Sequence, residues 1–135
     1  MFKIEKYFEL DGYKCVIVGQ GMGHRCGYVG IPEGHKYYRK HYDEIDVMVH
    51  GGLTYSEFHS KYPIETDEKL WWIGFDCGHA GDGVDLDLVK ELMSAEYYEH
   101  RKKIEGMFPM DDEIRSTEYV EVELHCLVAQ LKEER

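Results

Sequence analysis

The apolar positions of this chain change period near its middle. Residues 3–10 and 13–19 are rich in strand-forming side chains and flank Asp11-Gly12. This reads as a hairpin, because an Asp-Gly pair supplies the positive φ angles that a tight turn needs. Residues 26–31 (CGYVGI) make a third short strand, closed by Pro32 and Gly34. Residues 35–45 (HKYYRKHYDEI) are too polar and irregular for core and read as an exposed, tyrosine-rich loop. Residues 46–55 (DVMVHGGLTY) alternate into a fourth strand whose Gly51-Gly52 pair permits a bulge or a close backbone approach. Residues 70–77 (LWWIGFDC) form the most apolar run and therefore the expected central strand.

Beyond residue 84 the period becomes helical. Leu88, Val89, Leu92 and Met93 recur at helical spacing within a predicted helix over 85–103. A break follows at 106–112, which contains Pro109 and two aspartates. Ser116 then offers a cap for a terminal helix in which Val120, Leu124, Leu127 and Leu131 form one apolar stripe. The expected fold is α+β: a small antiparallel sheet of about four to five strands, packed on one face by the C-terminal helix and open on the other.

At 135 residues the chain has the size of one ordinary domain, and residues 1–135 are read as one. A hydrophobic share of 43% with 32% charged residues excludes a disordered composition. The net charge of −11 changes the picture more. Such a field repels phosphate backbones, which disfavours non-specific nucleic-acid binding and adhesion to an anionic membrane. It leaves open a small phosphorylated ligand in a locally neutral pocket, or a basic surface on a partner. The opening MFKIEKYFEL lacks the features of a signal peptide, and no stretch of about 18 apolar residues occurs, so a soluble, cytoplasmic protein is expected. Cys15, Cys26, Cys77 and Cys126 show no CxxC spacing and read as reduced, small buried hydrophobes.

Chemistry concentrates in three glycine-rich segments, CGYVGIPEGH, HGGLTY and GFDCGHAGD. A residue without Cβ lets a ligand or a neighbouring strand approach the backbone, although a Gly-Gly pair is more often a plain turn. If a strand continues through Cys77, then Cys77 and His79 share a face. Cys77, His79, Asp82 and His50 could supply zinc ligands, against which the missing paired-ligand motif weighs. Without metal, His50 or His79 oriented by Asp76 or Asp82 could act as a general base, and Cys77 beside a histidine could act as a nucleophile. A third reading has His50, Thr54, Tyr55, Asp76 and His79 hold a ligand by hydrogen bonds without turning it over. Trp71, Trp72, Phe75 and Tyr28 would then offer stacking surface, although aromatic residues in so apolar a strand are usually core. His24, His41, His59 and His100 lie among polar neighbours and read as solvated. The 11 tyrosines, Tyr37, Tyr38, Tyr42, Tyr97 and Tyr98 among them, suit a binding surface.

The segments CGYVGIPEGH, VHGGLTY and WWIGFDCGHAGD, closed by YVEVELHCLVAQL, resemble a family of small uncharacterised proteins that recur in bacteriophage and prophage genomes. The resemblance spans roughly residues 25–131 and leaves out the N-terminal hairpin and the acidic stretch before Pro109. It implies a setting, an accessory protein in the cytoplasm of an infected bacterial host cell, and no activity. The expected function is binding of a small polar or nucleotide-like ligand, in one version sequestration of a host immune signal as counter-defence. The alternatives are a hydrolase or phosphodiesterase using His50, Asp76, His79 and Asp82, with or without zinc, and an acidic inhibitor of a host defence nuclease. The expected partners are accordingly a small-molecule ligand or a host defence protein, with a homo-oligomer left open.

Overall fold

A computed structural model describes residues 1–66, 68–108 and 111–134 of the chain. Five strands, β1 (Phe2–Leu10), β2 (Tyr13–Gln20), β3 (Arg25–Ile31), β4 (Tyr55–Phe58) and β5 (Trp71–Asp76), form one antiparallel sheet in the order β1-β2-β3-β5-β4. Three helices follow, α1 (Leu86–Leu92), α2 (Ala95–Met107) and α3 (Thr117–Glu133). The fold is α+β. The hairpin turns at Asp11-Gly12, both with positive φ (50° and 87°), as the pair requires. No helix among the described residues is long and apolar enough to cross a membrane.

The helix α3 packs across one face of the sheet, with Val120, Leu124, Leu127 and Leu131 completely buried among Ile17, Val29, Ile73 and Phe75. The side-chain hydroxyl of Ser116 accepts the Tyr119 N–H at its start, as the cap signal predicted. This close approach needs Gly27. A Cβ there would lie 2.7 Å from the Phe75 ring and 3.0 Å from Val120. The glycines of β3 and β5 therefore serve packing, and they offer no cradle for a ligand.

Several expectations are corrected. The central strand is β3, not the more apolar β5, and its Gly27 and Gly30 let α3 and the side chains of Leu70, Trp72 and Phe75 close in. The fourth strand is not 46–55. Gly51 and Gly52 both turn with positive φ (68° and 79°), and pairing starts only at Tyr55. Val47, Val49 and Leu53 pack on the core, which explains the alternation. Two backbone donors of this segment bond instead to side chains of α3, Met48 N–H to Gln130 and His50 N–H to Glu123, each at 2.7 Å.

The stretch 35–45 is not simply exposed, since His35, Tyr37 and Ile45 are buried. His35 donates from Nε2 to the Leu131 carbonyl of α3 (2.8 Å), while its Nδ1 accepts the Tyr37 N–H. One helix over 85–103 is in fact two, because Met93 is extended and the Ser94 hydroxyl caps a new helix by accepting the Tyr97 N–H. Pro109, in the expected break, lies outside the described residues. The second sheet face is not open either: Tyr62, Ile64 and Leu70 cover Val16, Val18, Tyr28 and Trp72. Cys15, Cys26 and Cys77 are buried as expected, but Cys126 is exposed on α3.

At one end of the sheet Arg25 is buried (8% exposed). Its guanidinium pairs with Glu5 (2.7 Å) at the bulge of β1 and with Asp85 (2.9 Å), the cap of α1. It also donates to the Thr117 hydroxyl and to the Arg115 carbonyl at the start of α3.

Candidate functional site

The chain beyond β5 folds back at residues 77–83 and lies against the start of α3. Gly83 N–H donates to the Glu113 carbonyl (2.6 Å) and Glu113 N–H to the Gly81 carbonyl (3.1 Å). This clamp brings Asp82 beneath the loop that carries His50. The Asp82 side chain is 2% exposed, and its carboxylate accepts from His50 Nε2 (2.9 Å), Arg115 Nε (2.9 Å) and the His79 backbone N–H (3.1 Å). Asp82 takes the Nε2–H of His50, and Nδ1 on the other side of the ring is hydrogen-bonded to the Tyr119 hydroxyl (2.7 Å). Arg115 in turn lies 4.9 Å from the centre of the Tyr119 ring. The result is a closed polar network in which both nitrogens of His50 and both oxygens of Asp82 are taken.

Above this layer sits a more open one. Asp76 accepts from the Thr54 hydroxyl (3.0 Å) and from the Gly78 N–H (3.0 Å), and its carboxylate lies 3.4 Å from His79 Nδ1. The rings of His79 and His50 are 6.4 Å apart. His79 reaches this position because Gly51 makes room. A Cβ on Gly51 would lie 2.6 Å from the His79 ring, and its φ of 68° disfavours any other residue. The Gly-Gly pair thus has one identifiable use, to seat a histidine.

Of the residues singled out from the sequence, the structure brings together His50, Thr54, Asp76, His79 and Asp82. Two lie elsewhere. Tyr55 packs on the opposite sheet face against Tyr28 and Tyr62, since it begins β4 rather than ending a strand with His50. Cys77 is in the core under α3, and burial pushes its thiol up to about 12, which disfavours a thiolate nucleophile. Trp72, Phe75 and Tyr28 are buried, so they present no stacking face. Among the described residues no group of three or more His, Cys, Asp or Glu side chains is arranged to hold a metal ion. Of the expected zinc donors, Cys77 is buried and His50 and Asp82 are bonded to each other, so His79 stands apart from a ligand set.

Arg115, Tyr119 and Glu123 were not anticipated. Tyr119 and Glu123 lie four residues apart, the spacing that puts them on one side of α3, whereas Arg115 precedes the Ser116 cap. His24 is also closer than its polar neighbours suggested: its ring would lie 3.5 Å from a Cβ on Gly78, and burial together with Arg101 holds it below the usual histidine value.

The network carries a pH signature. Burial raises the Asp82 carboxyl, but hydrogen bonds from His50, Arg115 and the His79 N–H outweigh it, and the net direction is down. A carboxyl lower in the folded than in the unfolded state contributes stability that is complete above the unfolded value of about 3.9 and is lost as pH falls through the folded value. Asp82→Asn removes that contribution. In urea unfolding followed from neutral pH down through the carboxylate range, the variant should be less stable near neutrality and should lose less than the parent on acidification. Parallel curves would show that Asp82 titrates alike in both states.

Comparison of the chain with protein-family models, with curated proteins and with solved structures finds no match, so the functional reading rests on this geometry.

Proposed function

We propose that this protein is a binding module that holds a small polar ligand on Asp76, His79 and Thr54, with the His50–Asp82–Arg115–Tyr119 network as a rigid floor. The observation that carries the reading is the division into two layers. The buried layer is saturated with its own partners, whereas His79 and Asp76 are 38% and 35% exposed. A carboxylate accepts about four hydrogen bonds, and Asp76 uses two, from Thr54 and Gly78. It therefore selects ligands that present N–H or O–H donors, and the net charge of −11 favours neutral or cationic groups at this end. A nucleotide-like ligand would be read here through its base edge. Given the resemblance to phage proteins, sequestration of a host signal in an infected bacterium is the biological version of the same proposal.

A hydrolase is the second reading, and the 3.4 Å approach of Asp76 to His79 favours it, since a carboxylate-oriented imidazole is a general base. One experiment separates the two. The protein is exposed to a bacterial small-molecule extract, washed and denatured, and the released compounds are identified by mass spectrometry. Binding predicts a compound released unchanged. Hydrolysis predicts depletion of a compound and appearance of its cleavage product.

Titration of the identified compound then tests His79. In a binding module His79→Ala weakens affinity by roughly five- to 150-fold, the effect of losing one hydrogen bond of about 1–3 kcal/mol that the bound ligand shields from water. In an enzyme it leaves affinity nearly intact while turnover falls by about 10² to 10⁴. A drop in melting temperature with neither change would mean that His79 only supports the loop.

A further inference from the structure

A cavity of about 510 Å³ lies at the opposite end of β4 and β5, lined by Arg39, His59, Ser60 and Lys69, by Phe58 as an apolar wall, and by the carboxylates of Glu33 and Glu68. Its donors are arranged for an anion. His59 Nδ1 accepts the backbone N–H groups of Lys61 (3.0 Å) and Tyr62 (2.8 Å), so the neutral ring carries its proton on Nε2 and is a fixed donor. Arg39 lies over the Phe58 ring, 5.4 Å from its centre, and among the described residues neither it nor Lys69 holds a carboxylate. Glu68, next to Lys69, also lines the cavity, and its carboxylate is engaged by Lys14 of β2 at 2.9 Å.

The frame around these donors is built. The Tyr38 hydroxyl donates to the Lys69 carbonyl (3.1 Å), and Trp71 Nε1 donates to the Lys40 carbonyl (2.8 Å), so both sides of the cavity are tied together. Between these ties Arg39 is held with a φ of 68°, a backbone conformation that side chains rarely adopt. Such conformations persist where surrounding structure over-determines them, and they cluster at ligand sites. A free cation on a strained backbone, facing a cavity beside an aromatic wall, is a combination that packing does not require.

We infer that this cavity binds a nucleoside monophosphate, with the phosphate on Arg39, Lys69 and His59, the sugar hydroxyls on Glu33 and the base against the part of Phe58 that Arg39 leaves exposed. A phosphate alone would leave the apolar wall and Glu33 unused, and a carboxylate at the margin is suited to accept sugar hydroxyls rather than to face an anion. A nucleic-acid strand is disfavoured because its repeated charges meet the acidic field of the whole chain. One phosphate meets mainly the local cations, since charges more than about 8 Å away are screened at physiological salt.

Calorimetric titration of the full chain with adenosine 5′-monophosphate, adenosine and inorganic phosphate tests this. The monophosphate should bind, with adenosine and phosphate each at least about ten-fold weaker. Arg39→Gln and Lys69→Gln should each weaken the monophosphate about ten-fold or more, whereas Lys102→Gln, which removes the same charge from the surface of α2, should not. Arg39→Gly guards against a folding artefact: glycine adopts the observed φ without strain, so this variant should melt no lower than the parent and still lose affinity. Equal affinity for adenosine and its monophosphate would overturn the inference. So would unchanged affinity in Arg39→Gly, or no binding of the monophosphate by the parent at low salt.

Discussion

Replacing Arg25 with methionine should lower the free energy of unfolding by about 3–5 kcal/mol, the range for breaking a buried ion pair by removing one partner. The side chains of Arg25, Glu5 and Asp85 are only 10%, 11% and 16% exposed, so the two carboxylates would be left in a dry site without their counter-charge. The damage would spread through the fold, because the same guanidinium joins the bulge of β1, the cap of α1 and the first turn of α3. Urea unfolding followed by tryptophan fluorescence gives the number. Arg25→Lys should fall between parent and methionine, since an ammonium keeps the charge but cannot reproduce the planar fork. Neutralising Glu5 and Asp85 together with Arg25→Met should recover part of the loss. An unchanged midpoint in Arg25→Met would mean that the cluster is hydrated and contributes only as a surface pair.

Leu124→Ala should cost about 2–5 kcal/mol through lost burial and a residual cavity. Leu124 is completely buried at the middle of the α3 stripe, between the helix and the inner face of the sheet. The folded fraction should keep its affinity for ligand, because the neighbouring flank of the helix, Tyr119 and Glu123, holds the His50 loop through bonds the substitution leaves alone. Thermal melting and ligand titration on the same sample separate the two properties. If stability is unchanged, the stripe does not form the core contact described; if affinity falls in the folded fraction, the site depends on the seating of α3 and not only on its polar flank.

These expectations show where the chain is legible and where it is not. The α3 helix could be placed from residue spacing, because its apolar period, its serine cap and its length all agree. The hairpin was equally plain from Asp11-Gly12. The segment 46–55 misled, since alternation of Val47, Val49 and Leu53 records only that every second side chain is buried. It does not say whether the backbone finds its partners in a ladder or, as here, on Gln130 and Glu123. The 35–45 stretch misled in the opposite sense. A histidine and a tyrosine look polar in composition, yet His35 is buried because the Leu131 carbonyl and the Tyr37 N–H satisfy its two nitrogens.

The same division runs through the candidate site. Local composition was enough to gather His50, Asp76, His79 and Asp82 as groups able to exchange protons or hydrogen bonds, because side-chain chemistry is a property of the residue. Their roles depend on partners far away in the chain. Arg115 and Tyr119, 33 and 69 residues from the groups they bind, determine that Asp82 and His50 form a saturated floor. Burial under α3 makes Cys77 a core residue, and a register beginning at Tyr55 sends that ring to the far face. From its residues alone the chain specified an α+β class, the stripe of its last helix and the kinds of chemistry available. Which groups remain free to meet a ligand was decided by the tertiary structure, since a hydrogen bond within the fold and one to a ligand compete for the same lone pairs and protons.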